Sequence, residues 1–129
     1  MILIINTLFH LLGDDADFEI TGDVSSEEEF INNVKIDNAP PTIPWAEFQA
    51  KMNELRPVEA LKKLREERDL LLDKTDRYAL PDYPHSEESR QAWMTYRQTL
   101  RDLPANSPVA TIDPETGALE GVVWPVIPQ

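Results

Sequence analysis

His10 and His85 are the only imidazoles in this 129-residue sequence, and there is no cysteine. Zinc sites and nucleophile–base pairs draw first on those side chains, at spacings such as His-x-x-x-His. His10 lies inside an apolar run and His85 sits just before a helix start, so neither has a local co-ligand. Asp14, Asp15 and Asp17 invite a calcium reading. The EF-hand loop pattern, with its Gly at position six and Glu at position twelve, is read as absent, and a solvated acidic loop is the reading kept. Four glycines form no phosphate-cradling loop, and no Gly-x-Ser-x-Gly elbow occurs. Among 24 acidic residues no pair is singled out for acid–base work. The sequence therefore offers no catalytic residue, no metal ligand set and no cofactor motif.

Charge narrows the partners. The formal net charge is −12, and it is unevenly spread. Residues 1–43 carry nine acids against Lys35 alone, residues 44–106 carry twelve acids and eleven bases, and residues 107–129 carry three acids and no base. Such a field repels phosphate backbones, which argues against nucleic acid and for a basic surface on another protein. The opening MILIINTLFHLLG has no positive n-region and no small-residue cleavage site. It is also shorter than the roughly 20 apolar residues a bilayer span needs, so no membrane role is expected.

The elements that would position any site read as follows. MILIINTLFHLLG is expected to be a buried strand or a short helix, with Ile2–Ile5 β-branched as a strand would be. Phe18 and Ile20 alternate with Glu19 and Thr21 as a strand, Ser26 with Glu29 forms a capping box opening a short helix, and Val34–Ile36 is a further strand. Asn38-Ala-Pro-Pro-Thr-Ile-Pro44 should stop regular structure. Trp45, Phe48, Met52 and Leu55 then mark one helical face, Pro57 predicts a break or kink at Arg56, and a second helix runs from Val58 to Leu72. Ser86 caps a third, through Leu103, whose stripe is Trp93, Tyr96, Leu100 and Leu103. Asp113-Pro-Glu-Thr-Gly117 has turn chemistry between two short extended runs. The expected architecture is α+β: an acidic α/β unit at 1–38, a proline-rich linker at 39–44, a central three-helix hairpin domain at 45–104, and an extended or β-hairpin tail at 105–129.

Arg68 falls where the second helix's stripe expects an apolar residue. A buried guanidinium needs acceptors, and Asp76, Asp82 and Asp102 are the candidates, so Arg68 is expected to pin the connection between the helices. Trp93 and Tyr96 are expected chiefly as core, while Tyr78 and Tyr83 on the connection have the character of interface anchors. Arg97 and Arg101 flank the stripe. Trp124-Pro125-Val126 either folds back or docks into another protein as an extended segment. Candidate partner-binding residues are thus Tyr78, Tyr83, Trp93, Tyr96, Arg97, Arg101, Trp124 and Pro125.

The order Arg65, Arg68, Asp69, Leu71, Leu72, then Thr75-Asp76, Pro81-Asp82, and then Trp93, Tyr96, Arg97, Gln98, Leu100, Arg101, Asp102 resembles the C-terminal domain of phage tail assembly chaperones, also called tail fibre assembly proteins. The Val-Val-Trp-Pro ending at Pro125 also recurs in them. This chain departs from the pattern at Arg77-Tyr78, where the family carries a Trp, and residues 1–38 match nothing in it. The resemblance implies a non-catalytic helper that binds a phage tail or tail-fibre protein, in the host cytoplasm during assembly, with no cofactor; homo-oligomer formation is compatible with it. The alternative is a structural component of the tail, baseplate or fibre retained in the virion.

Overall fold

Residues 1–129 are all described by a computed structural model. Four α-helices and two small antiparallel sheets make the protein α+β. In chain order they are α1 (Ile2–Leu12), β1 (Phe18–Ile20), α2 (Glu27–Asn33), β2 (Val34–Ile36), α3 (Trp45–Thr75), a 3-10 turn (Asp76–Ala79), α4 (Glu87–Asp102), β3 (Thr111–Ile112) and β4 (Leu119–Glu120). The chain divides into two compact units, one of Met1–Glu59 with Ile112–Ala118, the other of Ala60–Thr111 with Leu119–Gln129.

In the first unit the opening segment is a helix, not a strand. Leu3, Ile4, Thr7 and Leu8 are fully buried, and that 3, 4, 7, 8 spacing is one face of a helix. Burying this face outweighs the small helix penalty of three isoleucines. Gly13 ends the helix at φ 99°, its N–H reaching the Phe9 carbonyl oxygen at 2.8 Å. β1 and β2 pair antiparallel in the register Phe18–Ile36, Glu19–Lys35 and Ile20–Val34. Between them, Ser26 caps α2 by accepting from the Glu29 N–H, as the capping pattern predicts. Asp37 and Asn38 both take positive φ, 53° and 65°, in the two-residue turn after β2; these are side chains that tolerate the left-handed region. Phe30, Trp45 and Phe48 form the aromatic part of this core, with the Phe30 and Phe48 rings stacked at 4.7 Å.

α3 is one unbroken helix of 31 residues, where the sequence reading expects two with a break at Arg56. Pro57 lies inside it and is exposed. Its missing N–H leaves the Asn53 carbonyl without the usual helical donor, a cost of about 3 kcal/mol in an ordinary helix interior. Burial on both sides offsets it: Phe48, Met52 and Leu55 before the proline, Ala60 and Leu64 after it. The step from Leu55 to Ala60 is five residues, so the buried face changes phase there. Val58, the residue with which the sequence reading starts its second helix, is consequently 60% exposed.

The C-terminal hairpin forms at β3 and β4. Asp113 Oδ1 accepts the backbone N–H of Glu115 at 2.8 Å and of Thr116 at 3.0 Å, and Gly117 takes φ 73°. Those two donors, Thr116 foremost, hold the Asp113 carboxyl below the usual carboxylate range.

Candidate functional site

α4 carries four of the eight candidate partner-binding residues, and it is fixed at three places. Ser86 caps its start by accepting from the Ser89 N–H at 3.1 Å, with Glu87 and Glu88 in the first turn complementing the helix dipole. One face buries Trp93, Tyr96 and Leu100, against which Leu71, Leu72, Tyr78 and Trp124 pack. Contact with α3 is therefore made by the last turns of α3 and the middle of α4. The Tyr78 ring stacks on Trp93 at 4.0 Å and 11°, and Tyr83 stands edge-on to Tyr78 at 5.0 Å. The connection is held as an aromatic ladder rather than displayed as free anchors. Arg90 adds to this by donating to the Pro81 carbonyl oxygen at 3.2 Å and pairing with Glu87.

Arg97 is the pin that the sequence reading assigns to Arg68. It is 7% exposed. Its Nη1 donates to the Leu72 carbonyl oxygen and to Thr75 Oγ1, both at 2.8 Å, and Nη2 to Asp76 Oδ1 at 2.7 Å. The Thr75 hydroxyl spends its own proton on the Leu71 carbonyl oxygen at 2.8 Å, leaving lone pairs for the guanidinium. Leu72 is among the last residues of α3, whose carbonyls lack helical donors, so a cation from α4 closes the negative end of α3. Arg68 instead lies beside its neighbour Asp69 at 3.0 Å, a pair whose carboxylate is well exposed. The Arg68 side chain is itself largely covered, 20% exposed, but the carboxylate it meets is 61% exposed, so the pair reaches solvent without a partner from the connection. Of the other expected partners, Asp82 is exposed on the connection and Asp102 is exposed and accepts from Gln98 Nε2.

A second face of α4 steps Arg90, Met94, Arg97, Arg101, at intervals of four, three and four. With Tyr78 and Gln98 these line a cavity of about 400 Å³. Met94 is 52% exposed, and Arg101 is exposed with no ion pair or hydrogen bond. Arg90, Met94 and Thr75 were not singled out from sequence as site residues, although the spacing of the first two with Arg97 and Arg101 was there to be read. Across the helix, Pro125–Pro128 of the tail borders an open groove with Gln91, Thr95, Tyr96 and Thr99. Trp124 folds onto the aromatic cluster, while Val123 and Val126 are almost wholly exposed.

The acidic N-terminal segment does hold part of the calcium-loop pattern that the sequence reading takes as absent. Counted from Asp17, Gly22 and Glu28 do fall at positions six and twelve of a calcium loop. In the structure Phe18–Ile20 is instead paired as a strand with Val34–Ile36, and no three His, Asp or Glu side chains converge as metal ligands.

No helix is long and apolar enough to cross a membrane. Neither the curated proteins nor the solved structures contain a match to the chain. The family model described as phage tail assembly chaperone protein matches residues 61–129. That span holds the aromatic ladder, the Arg97 pin and the tail, and the chain belongs to this family.

Proposed function

We propose that this protein assists phage tail assembly by binding a tail or tail-fibre protein non-covalently in the host cytoplasm, without catalysis. The family membership of residues 61–129 carries the reading. The second unit supports it with surface a folded monomer has no use for: Val126 and Val123 are 89% and 88% exposed, beside a groove along α4. Apolar side chains gathered in this way suit transient cover of apolar surface on an unfinished partner.

The test is to co-express the tail or fibre protein encoded beside this chain with and without it, and to analyse purified particles. A soluble complex during expression, lost when Val123, Val126 and Ile127 are changed to Ser, with this chain absent from mature particles, is the expected result. A stoichiometric amount of the chain in mature particles sinks the transient role and establishes a retained structural component instead.

A further inference from the structure

The cavity on the second face of α4 has a wall chemistry at odds with the rest of the molecule. The chain carries a net charge of −12, yet three guanidinium groups and no carboxylate line this cavity. Two of the three are committed. Arg97 is held by Leu72, Thr75 and Asp76, and Arg90 by the Leu80 and Pro81 carbonyl oxygens and Glu87. Arg101 alone has no partner, and it stands one helical turn beyond Arg97. Between Arg90 and Arg97 lies Met94, half exposed, with the Tyr78 ring also in the wall. Met is a side chain that adapts to varied apolar neighbours, and an arginine in a partly enclosed wall favours a planar carboxylate.

We propose that this pocket docks an acidic segment of a partner protein, an Asp or Glu carboxylate meeting Arg101 while an adjacent apolar side chain covers Met94. This rests on the reading above that the chain works by binding a protein, and names the chemistry of the segment bound. Charge complementarity selects the occupant. The excess of acids lies mainly in residues 1–43 and 107–129, whereas residues 44–106, which hold this pocket, carry twelve acids and eleven bases. A phosphate backbone would bring a charge at every unit to one free cation, while a single carboxylate beside an apolar side chain needs only what the pocket provides.

The test is an NMR titration of the full chain with three capped peptides that differ only in the alternating residues: Asp-Leu-Glu-Leu-Asp, Asn-Leu-Gln-Leu-Asn and Asp-Ser-Glu-Ser-Asp. The Met94 methyl and the Arg101 Nε–H should shift with the first peptide. Affinity should fall by about tenfold for each of the other two, the size of one lost charge-assisted or apolar contact. Arg101→Gln should abolish the preference for Asp-Leu-Glu-Leu-Asp over its amide counterpart, and Met94→Gln the preference for Leu over Ser. Equal binding of the acidic and amide peptides overturns the proposal, as does binding that Arg101→Gln leaves unchanged or an absence of shifts at Met94. Shifts at Met94 and Arg101 that grow with protein concentration alone also overturn it, by assigning the face to a second copy. Because no phage protein is present, a negative result here beside a positive co-expression result rejects the pocket and leaves the assembly role standing.

Discussion

Replacing Arg97 with Met keeps an unbranched aliphatic side chain at this buried position and removes the guanidinium. Two of its bonds, to the Leu72 carbonyl oxygen and Thr75 Oγ1, lie in a region where Thr75 is itself buried. Hydrogen bonds from a charged donor contribute about 1.5–3 kcal/mol each, so the pair gives about 3 at the lower end. The third bond goes to Asp76, whose side chain is 65% exposed, and solvent screening limits it to at most about 1 kcal/mol. Against this, the Met variant no longer has to bury a charge, which returns about 1–2 kcal/mol. The net expected loss is about 2–3 kcal/mol. Asp76→Asn, by contrast, retains an oxygen acceptor and gives up only the screened attraction, so it should cost about 1 kcal/mol or less.

Urea unfolding at 25 °C followed by near-UV circular dichroism is the assay, because the stacked Tyr78–Trp93 pair reports on the second unit itself. A loss below about 0.5 kcal/mol for Arg97→Met would refute the pin, since surface changes fall in that range. So would a larger loss for Asp76→Asn than for Arg97→Met: it would place the energy in the ion pair rather than in the closure of the end of α3.

Arg68→Gln should change stability in the same assay by less than about 0.5 kcal/mol, because its ion-pair partner Asp69 is 61% exposed and solvent screens the attraction. Gly121→Ala should cost more than Gly117→Ala: both take positive φ, but only at Gly121 would a Cβ meet backbone, 2.3 Å from the Val109 carbonyl oxygen. Thermal scans should show about 1 kcal/mol for Gly117→Ala and clearly more for Gly121→Ala. Pro57→Ala should stabilise the protein by about 1–3 kcal/mol in urea unfolding, because the exposed ring contributes no packing and its replacement restores a helical N–H.

What could be read from the sequence follows from how local each determinant is. Ser86, the 93, 96, 100 stripe and the Ser26–Glu29 cap are fixed by neighbours within one or two turns, and they stand in the structure as the patterns predict. The strands β1 and β2 are likewise legible in their alternation. The opening run stays open between strand and short helix in the sequence because branching at Ile2–Ile5 argues locally for a strand, and the burial of Leu3, Ile4, Thr7 and Leu8 settles the matter in favour of the helix. Pro57 misleads for the same kind of reason. The proline's local cost is real, but burial on both sides of it holds α3 together, and the change of phase after Leu55 makes the stripe look as if it restarts.

Arg68 and Arg97 show where sequence spacing stops being informative. Arg68 lies on the expected stripe and Arg97 beside one, so spacing alone buries the first and exposes the second. Arg68 is largely covered, its side chain 20% exposed, yet it is Arg97 that is buried and pinned, and what separates the two is the position of acceptors. Arg97 faces the end of α3, where the Leu72 carbonyl and Thr75 hydroxyl are available, whereas Arg68 lies in the helix interior, where backbone carbonyls already have their donors. Arg97 and Arg101 then form a matched pair on one helix, four residues apart, the first with three acceptors and the second with none. Their substitutions should separate accordingly: removing the Arg97 guanidinium acts on stability, and removing the Arg101 guanidinium leaves stability within about 0.5 kcal/mol while acting on binding. If Arg101→Gln destabilised the fold as much as Arg97→Met, Arg101 would hold an internal contact, and the second face of α4 would lose its one uncommitted charge.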